Sequence, residues 1–374
     1  MIKYLVTIAL SVLFLVIGNR LAVQDSAAIP YYDEFSITFV SARVTEILSH
    51  TVVEMGHGAT MTTIIFEARI TNGGLRGEII TAEHTLTDMF IVQEREVELG
   101  DRVILFYDDF SGLYYLAALY RIQFVIALAV IFFILVVAFA KVKGLNSILS
   151  LVFILAAILL VFVPAILGGR NIYVVTVLIC FYAILSTLFI VIGVNRKAFA
   201  SILGCAGGVV LAGVLMFIMD RLTRLTGFVD DESVLLTVLE NPVDLRAVVF
   251  AGVVIGAVGA IMDVAMSIST SLWELHKAGG VSDFGGMFKS GINIGKDILG
   301  TMLNTLVLAY IGSSMSLILL VAANAESFSM LFNMEMIIVE FLRALVGSFG
   351  MLLAIPLTAV ICAALFSRKE TGKP

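Results

Sequence analysis

The sequence predicts a polytopic α-helical membrane protein of about eight spans, with a small extracytoplasmic, β-barrel-like (OB-like) domain near the amino end. Three observations predict it. Of 374 residues, 60% are apolar and only 14% are charged, whereas a soluble domain carries about 25% charge. Apolar runs of about twenty residues, enough to cross hydrocarbon, recur along the chain. One stretch departs from that pattern: residues 24–120 hold 15 Asp and Glu against 5 Lys and Arg, and alternate apolar with polar positions. Composition therefore excludes a water-soluble single domain. No basic run is long enough to track nucleic-acid phosphates. The implied organisation is an anchor over 1–23, a β domain over 24–120, a seven-span membrane domain over 121–367 and a tail over 368–374.

The first apolar run, 4–18, follows Lys3. No small-x-small cleavage site directly follows it, so it reads as an uncleaved anchor, with a secretory signal peptide as the alternative. Within 36–118 the pattern is that of strands. Thr62, Ile64, Phe66, Ala68 and Ile70 alternate with more polar neighbours at period two. Asn72-Gly73-Gly74 signals a turn, with a new strand near Arg76. Leu99-Gly100-Asp101-Arg102 leads into 103–108, and Ser111-Gly112 into 113–119. Four to six short strands with glycine turns fit a small closed or half-closed barrel. His50, His57 and His84 fall here at spacings that match no metal-ligand pattern, so no metal and no other cofactor is expected. Cys180, Cys205 and Cys362 all lie in apolar runs, and no CxxC pair occurs. No G-x-S-x-G elbow and no phosphate-binding GxxxxGK[ST] loop is present, so the chain does not read as an enzyme.

The remaining spans read as 122–140, 147–167, 172–194, 199–219, 246–271, 292–321 and 341–366, the 292–321 run being long enough to contain a break. Placing the amino terminus in the cytoplasm puts Lys3, Lys141, Lys143, Arg196, Lys197, Lys277, Lys289, Lys296, Arg368, Lys369 and Lys373 on that side. The short outer loops carry only Arg170, Arg221, Arg224 and Arg246. The positive-inside rule thus orients both termini inward and 24–120 outward.

Spans 122–140 and 147–167 are almost purely apolar and read as lipid-facing scaffold. The later spans carry the polar residues. Gly252, Gly256, Gly259, Asp263 and Ser267 recur every three or four residues on one helix face. Gly204 and Gly208 form a similar smooth stripe, and both sets of glycines read as helix-packing surfaces. In the next span Asn293, Asp297, Thr301 and Asn304 share a face. Both aspartates are expected in the cytoplasmic third of the bilayer. An ionised group at mid-membrane costs about 3 kcal/mol or more, offset by pairing, by water or by taking up a proton. That is the physical basis of a proton or cation path lined by Asp263, Ser267, Asp297, Thr301 and Asn304. The structural alternative is that the two acids cap helices or pair with Lys277, Lys289 or Lys296. Glu340 and Arg343, three residues apart, read as an ion pair within one helix. Pro356 is expected to kink the last span.

Three strings complete the reading: Gly256-Ala257-Val258-Gly259-Ala260-Ile261-Met262-Asp263-Val264-Ala265-Met266-Ser267-Ile268, the run from Gly295-Lys296-Asp297 to Ala309-Tyr310, and Gly347-Ser348-Phe349-Gly350 followed by Ile355-Pro356-Leu357-Thr358. Over roughly 120–366 the chain resembles the YibE/F-like bacterial membrane proteins. The resemblance implies a multi-spanning protein of the bacterial plasma membrane and carries no catalytic assignment. It also implies a homo-oligomer, or a hetero-oligomer with a shorter relative lacking the outer domain. Two functions are expected from the polar stripes and the outer domain, ahead of an intramembrane enzyme, for which two aspartates on separate helices resemble a dyad but no substrate-gate motif is present. The first is a proton- or cation-coupled secondary transporter or permease. The second is a non-transporting accessory or assembly protein whose β domain binds an envelope or secretion partner.

Overall fold

The computed structural model of the chain describes residues 2–23, 39–55, 59–87, 95–239, 241–323 and 328–367. His57, Arg368, Lys369 and Lys373 lie outside the described residues. The chain forms two compact units, Met1–Ile29 with Val137–Pro374, and Pro30–Val136.

The second unit is built on five strands: β1 (Phe39–Met55), β2 (Ala59–Ile70), β3 (Ile79–Thr87), β4 (Arg102–Asp108) and β5 (Leu113–Leu119). They close into a barrel in the order β1-β2-β3-β5-β4. All neighbours are antiparallel except β3 and β5. This is the OB-like arrangement that the turn spacing suggests. Period two decides the inside: Ile64, Phe66, Ala68 and Ile70 are buried together with Ala42, Val44, Val103 and Leu105. The strand expected near Arg76 begins at Ile79 instead. The turn is longer because Gly73 and Gly77 both take positive φ, 74° and 98°, and Gly77 N donates back to Ile70 O at 2.9 Å. Between β4 and β5 the Asp108 carboxylate accepts from the amides of Phe110 and Ser111 at 3.3 and 3.2 Å.

Among the described residues seven helices are long and apolar enough to cross a membrane. The first is α1 (Ile2–Val23). The next run spans Ile122–Leu167: α2 (Ile122–Ala157), a π turn (Ile158–Phe162) and α3 (Val163–Leu167). Two separate spans were expected here, and the backbone leaves helical geometry between them, at Lys141 (φ 51°, ψ −127°), so two helices meet at a kink there. No proline interrupts 141–146, so helix resumes where a loop was expected. Then follow α4 (Ile172–Val191), α5 (Arg196–Thr223), the short α6 (Asp231–Thr237), α7 (Leu245–Lys277), α8 (Phe284–Ser313), α9 (Met315–Ala323), α10 (Phe328–Leu331) and α11 (Glu335–Phe366). The 292–321 run does contain a break, at Ser314, between α8 and α9. α8 also starts earlier than expected, because Asp283 caps it by accepting from Gly286 N at 2.7 Å. α11 continues through Pro356.

The core of this unit is the triangle α5–α7–α11. Val253, Ile261, Ile268, Met216, Met351 and Phe366 are all buried in it. Glycine sets the approach of these helices. A Cβ on Gly204 would lie 2.1 Å from Thr358 Oγ1, and one on Gly208 2.8 Å from both Ala354 Cβ and Ile261 Cγ2. α1 packs on α4, where the Phe14 and Tyr182 rings stack at 4.2 Å.

Candidate functional site

α7 and α8 are consecutive helices of nearly opposite direction, and each has two unlike faces. On α7 the residues Val253, Ala257, Ile261, Val264 and Ile268 point into the core and are fully buried. Gly252, Gly256, Gly259 and Asp263 lie on the opposite face and are exposed. On α8 the residues Met287, Gly291 and Gly295 are buried, and Met302 and Leu306 pack against the core. Asn293, Asp297, Thr301 and Asn304 face away from it and are exposed.

Contacts fix the depth of one helix against the other. A Cβ on Gly291 would meet Leu272 Cδ1 at 3.1 Å, and one on Gly256 would meet the Tyr310 hydroxyl at 3.6 Å. From Leu272 back to Asp263 is about 13 Å of helix, and from Gly291 on to Asp297 about 9 Å. The two carboxylates therefore sit about 5 Å apart in depth, near the middle of both helices. Asp263 lies at about the level of Thr301, and Asp297 at about that of Ser267.

Neither aspartate has a hydrogen bond or an ion pair with any described residue, and neither caps a helix. The expected alternative pairing with Lys277, Lys289 or Lys296 does not form among the described residues. Asn293 and Asn304 likewise bond to no described residue. Thr301 is satisfied locally, its Oγ1 donating to Ile298 O at 3.0 Å. Of the seven membrane helices, α8 is the least apolar and is little covered by the rest of the described residues, so the side chains of Asn293, Asp297 and Asn304 stand uncovered.

The glycine expectation divides. Gly204 and Gly208 are packing residues, as their contacts with α11 show. Gly252 and Gly259 pack against no described residue: none lies within 4 Å of a Cβ at either. The reason is direction, since they face away from the α5–α7–α11 core. Two packing glycines that the sequence reading passed over are Gly291 and Gly295, where a Cβ would come within 2.8 Å of Ala359 Cβ and 2.2 Å of Ile355 Cγ2. Their four-residue spacing was the available signal.

Glu340 and Arg343 form an ion pair, Arg343 Nη1 donating to Glu340 Oε1 at 2.5 Å. Ser314, at the break after α8, donates to Glu340 Oε2 at 2.9 Å, so the pair fastens the end of α8 to α11. Two further carboxylates tie helix ends together. Asp220 on α5 receives a fork from Arg246 on α7. Glu335 accepts from Thr226 N and Thr226 Oγ1 at 2.8 and 2.7 Å and from Gly227 N at 2.5 Å. Buried Ser201 and Ser269 hydrogen-bond across α5 and α7. In the barrel, His50 Nε2 lies 3.3 Å from Glu96 Oε2 on the surface. Among the described residues no group of three His, Cys, Asp or Glu is placed to hold a metal ion. Cys180, Cys205 and Cys362 are buried free thiols.

A small closed β-barrel and a bundle of long apolar helices define an integral, polytopic membrane protein. The chain belongs to the YibE/F-like protein family, which matches residues 128–368. No curated protein and no solved structure matches the chain.

Proposed function

We propose that this chain is a proton- or cation-coupled secondary transporter. In this reading its polar path follows the uncovered faces of α7 and α8 and is walled on the far side by a second YibE/F-like membrane subunit, another copy or a shorter relative. One observation carries the reading. Asp263 and Asp297 stand at similar depth on adjacent helices, exposed, with no answering group among the described residues. Hydrocarbon does not accept such a face, so water, a transported ion or another protein covers it. Asp263 and Asp297 exchange the coupling proton or cation, and Ser267, Thr301 and Asn304 offer oxygens along the way. The distribution of lysine and arginine supports cytoplasmic termini and an extracytoplasmic barrel, and the family supports a place in the bacterial plasma membrane. No enzymatic step belongs to this reading. Proteoliposomes under an imposed proton or cation gradient test it. Asp263→Asn and Asp297→Asn each abolish coupled flux, and full flux in both variants removes the acids from the path.

The open Gly252–Gly259 face favours a second reading, an accessory or assembly protein. A smooth small-residue stripe, with nothing among the described residues within 4 Å of a Cβ at Gly252 or Gly259, suits close approach of a helix from another membrane subunit. The barrel would then bind an envelope or secretion partner. Crosslinking from the barrel surface that recovers one specific partner, in a protein without flux, selects this reading.

A further inference from the structure

The stretch 24–120 has five arginines and no lysine among its many acids, and three of the five meet at one place. The strand register puts Arg43 of β1 directly opposite Arg69 of β2, and on its other side directly opposite Arg102 of β4. Residues so paired point to the same face of the sheet, with Cβ atoms about 5 Å apart. Their neighbours in register, Ala42, Ile70 and Val103, are buried inside the barrel, so the arginine row lies on its outside. All three arginines line one open cavity of about 700 Å³ together with Thr71, Asn72 and Tyr120, and no carboxylate of the described residues lines it.

Arg43 and Arg69 have no hydrogen bond or ion pair with any described residue. Arg102 Nη1 donates to the neutral Gln123 Oε1 at 2.9 Å. Like charges facing one another across strands destabilise a sheet. Glu67 stands on the same face two residues along β2, yet no described carboxylate lines the cavity or bonds to Arg43 or Arg69, which fits an anion supplied from outside the chain.

The position of the row indicates the source. Tyr120 lines the cavity, and Ile122 opens α2, the first apolar run after the barrel. Gln123, the partner of Arg102, is in the first turn of that helix. Aromatic and basic residues at the mouth of a span lie at headgroup level. We propose that Arg43, Arg69 and Arg102 form a binding site for a phosphate-type oxyanion, filled by the phosphate of an anionic phospholipid at the membrane surface beside α2. Guanidinium forks match phosphate oxygens two at a time, and three forks in a row grip one headgroup from several sides.

The test uses the full-length chain in detergent, titrated with phosphatidylglycerol, with phosphatidylcholine and separately with inorganic phosphate. Native mass spectrometry reads the bound lipid, and thermal unfolding reads the phosphate. The variants are Arg43→Gln/Arg69→Gln and, as a charge control, Arg76→Gln, an exposed arginine of the β2–β3 turn outside the cavity. Phosphatidylglycerol is retained over phosphatidylcholine, and the double variant loses at least about tenfold in affinity, while Arg76→Gln binds as the parent does. Should the double variant fail to fold, Arg43→Lys/Arg69→Lys keeps the charge without the fork and still weakens retention. Equal phosphatidylglycerol binding by parent and double variant overturns the site. Arginine-dependent binding of inorganic phosphate without lipid retention supports the oxyanion chemistry and overturns the lipid as its source.

Discussion

Arg246 grips Asp220 through two nitrogens, Nη2 to Oδ2 at 2.6 Å and Nε to Oδ1 at 3.3 Å, joining the last turn of α5 to the first turn of α7. The two ends of this bridge are unequal. The Asp220 side chain is 6% exposed and that of Arg246 46%. Removing the arginine strands a carboxylate that has little water, whereas removing both leaves no charge to strand. Arg246→Ala is therefore expected to cost about 2 kcal/mol, the half-exposed guanidinium holding the figure below that of a fully buried pair. Asp220→Ala/Arg246→Ala should cost less than Arg246→Ala alone. Reversible unfolding in mixed micelles measures both. A double variant less stable than the single one would mean that the bridge acts through packing rather than charge.

That bridge also marks the limit of what the chain discloses before folding. Alternation over 62–71 placed Ile64, Phe66, Ala68 and Ile70 correctly inside a barrel, because period two is a local property of a strand with one wet face. Long apolar runs placed the membrane helices for the same kind of reason. Asp220 and Arg246, by contrast, sit in different helices 26 residues apart. Nothing periodic links them, and Arg246 counted only as a loop base. Helical spacing likewise put Asp263, Asp297, Thr301 and Asn304 on defined faces of α7 and α8 but could not say which way those faces turn. Only the contacts of Gly291 with Ala359 on α11 and with Leu272 on α7, and of Tyr310 with Gly256, set that direction and the relative depth of the two acids.

Two glycine stripes of similar spacing should accordingly behave in opposite ways. Gly204→Ala brings a methyl against Thr358 Oγ1, Cβ and Cα at 2.1, 2.9 and 3.0 Å. One of these atoms is backbone, so rotation of the threonine cannot relieve the whole contact, and a loss of about 1–3 kcal/mol is expected. Gly259→Ala meets nothing and gains about 0.5–1 kcal/mol from a stiffer helix. Gly259→Leu should keep the fold and, in either functional reading, weaken association with the subunit that covers this face. Unfolding midpoints together with the mass distribution in native mass spectrometry separate the two effects. Equal destabilisation at both glycines would contradict the outward direction of the α7 stripe.

Acid should loosen the β4–β5 turn at a defined point. The Ser111 hydroxyl, and after it the Phe110 amide, hold the exposed Asp108 carboxyl below its ordinary value of 3.8. A carboxyl with a depressed folded-state pKa contributes its stabilisation fully above the ordinary value and loses it as pH falls through the depressed one. Once the intrinsic pH dependence of exchange is removed, protection of the Phe110 and Ser111 amides should hold down to about pH 4 and fall below it. Asp108→Asn should flatten that profile. A profile unchanged by the substitution would assign the protection to the glycine turn alone.

The uncovered face of α8 makes the sharpest distinction between a watery path and a dry contact. Single cysteines at Asn293, Asp297, Thr301 and Asn304 would stand on the exposed face, and cysteines at Met302 and Leu306 on the packed one. The native thiols at Cys180, Cys205 and Cys362 are buried and serve as an internal blank. A membrane-impermeant maleimide reacts only with a thiolate in contact with water. If the face lines a path, the four exposed positions are modified in intact proteoliposomes, and modification at Asn304 falls when the transported cation is present in excess. Met302 and Leu306 stay unmodified in either case. Protection of all four positions, together with their crosslinking to a neighbouring subunit, would mean that protein rather than water covers Asp297, and the transporter reading would give way to the accessory one.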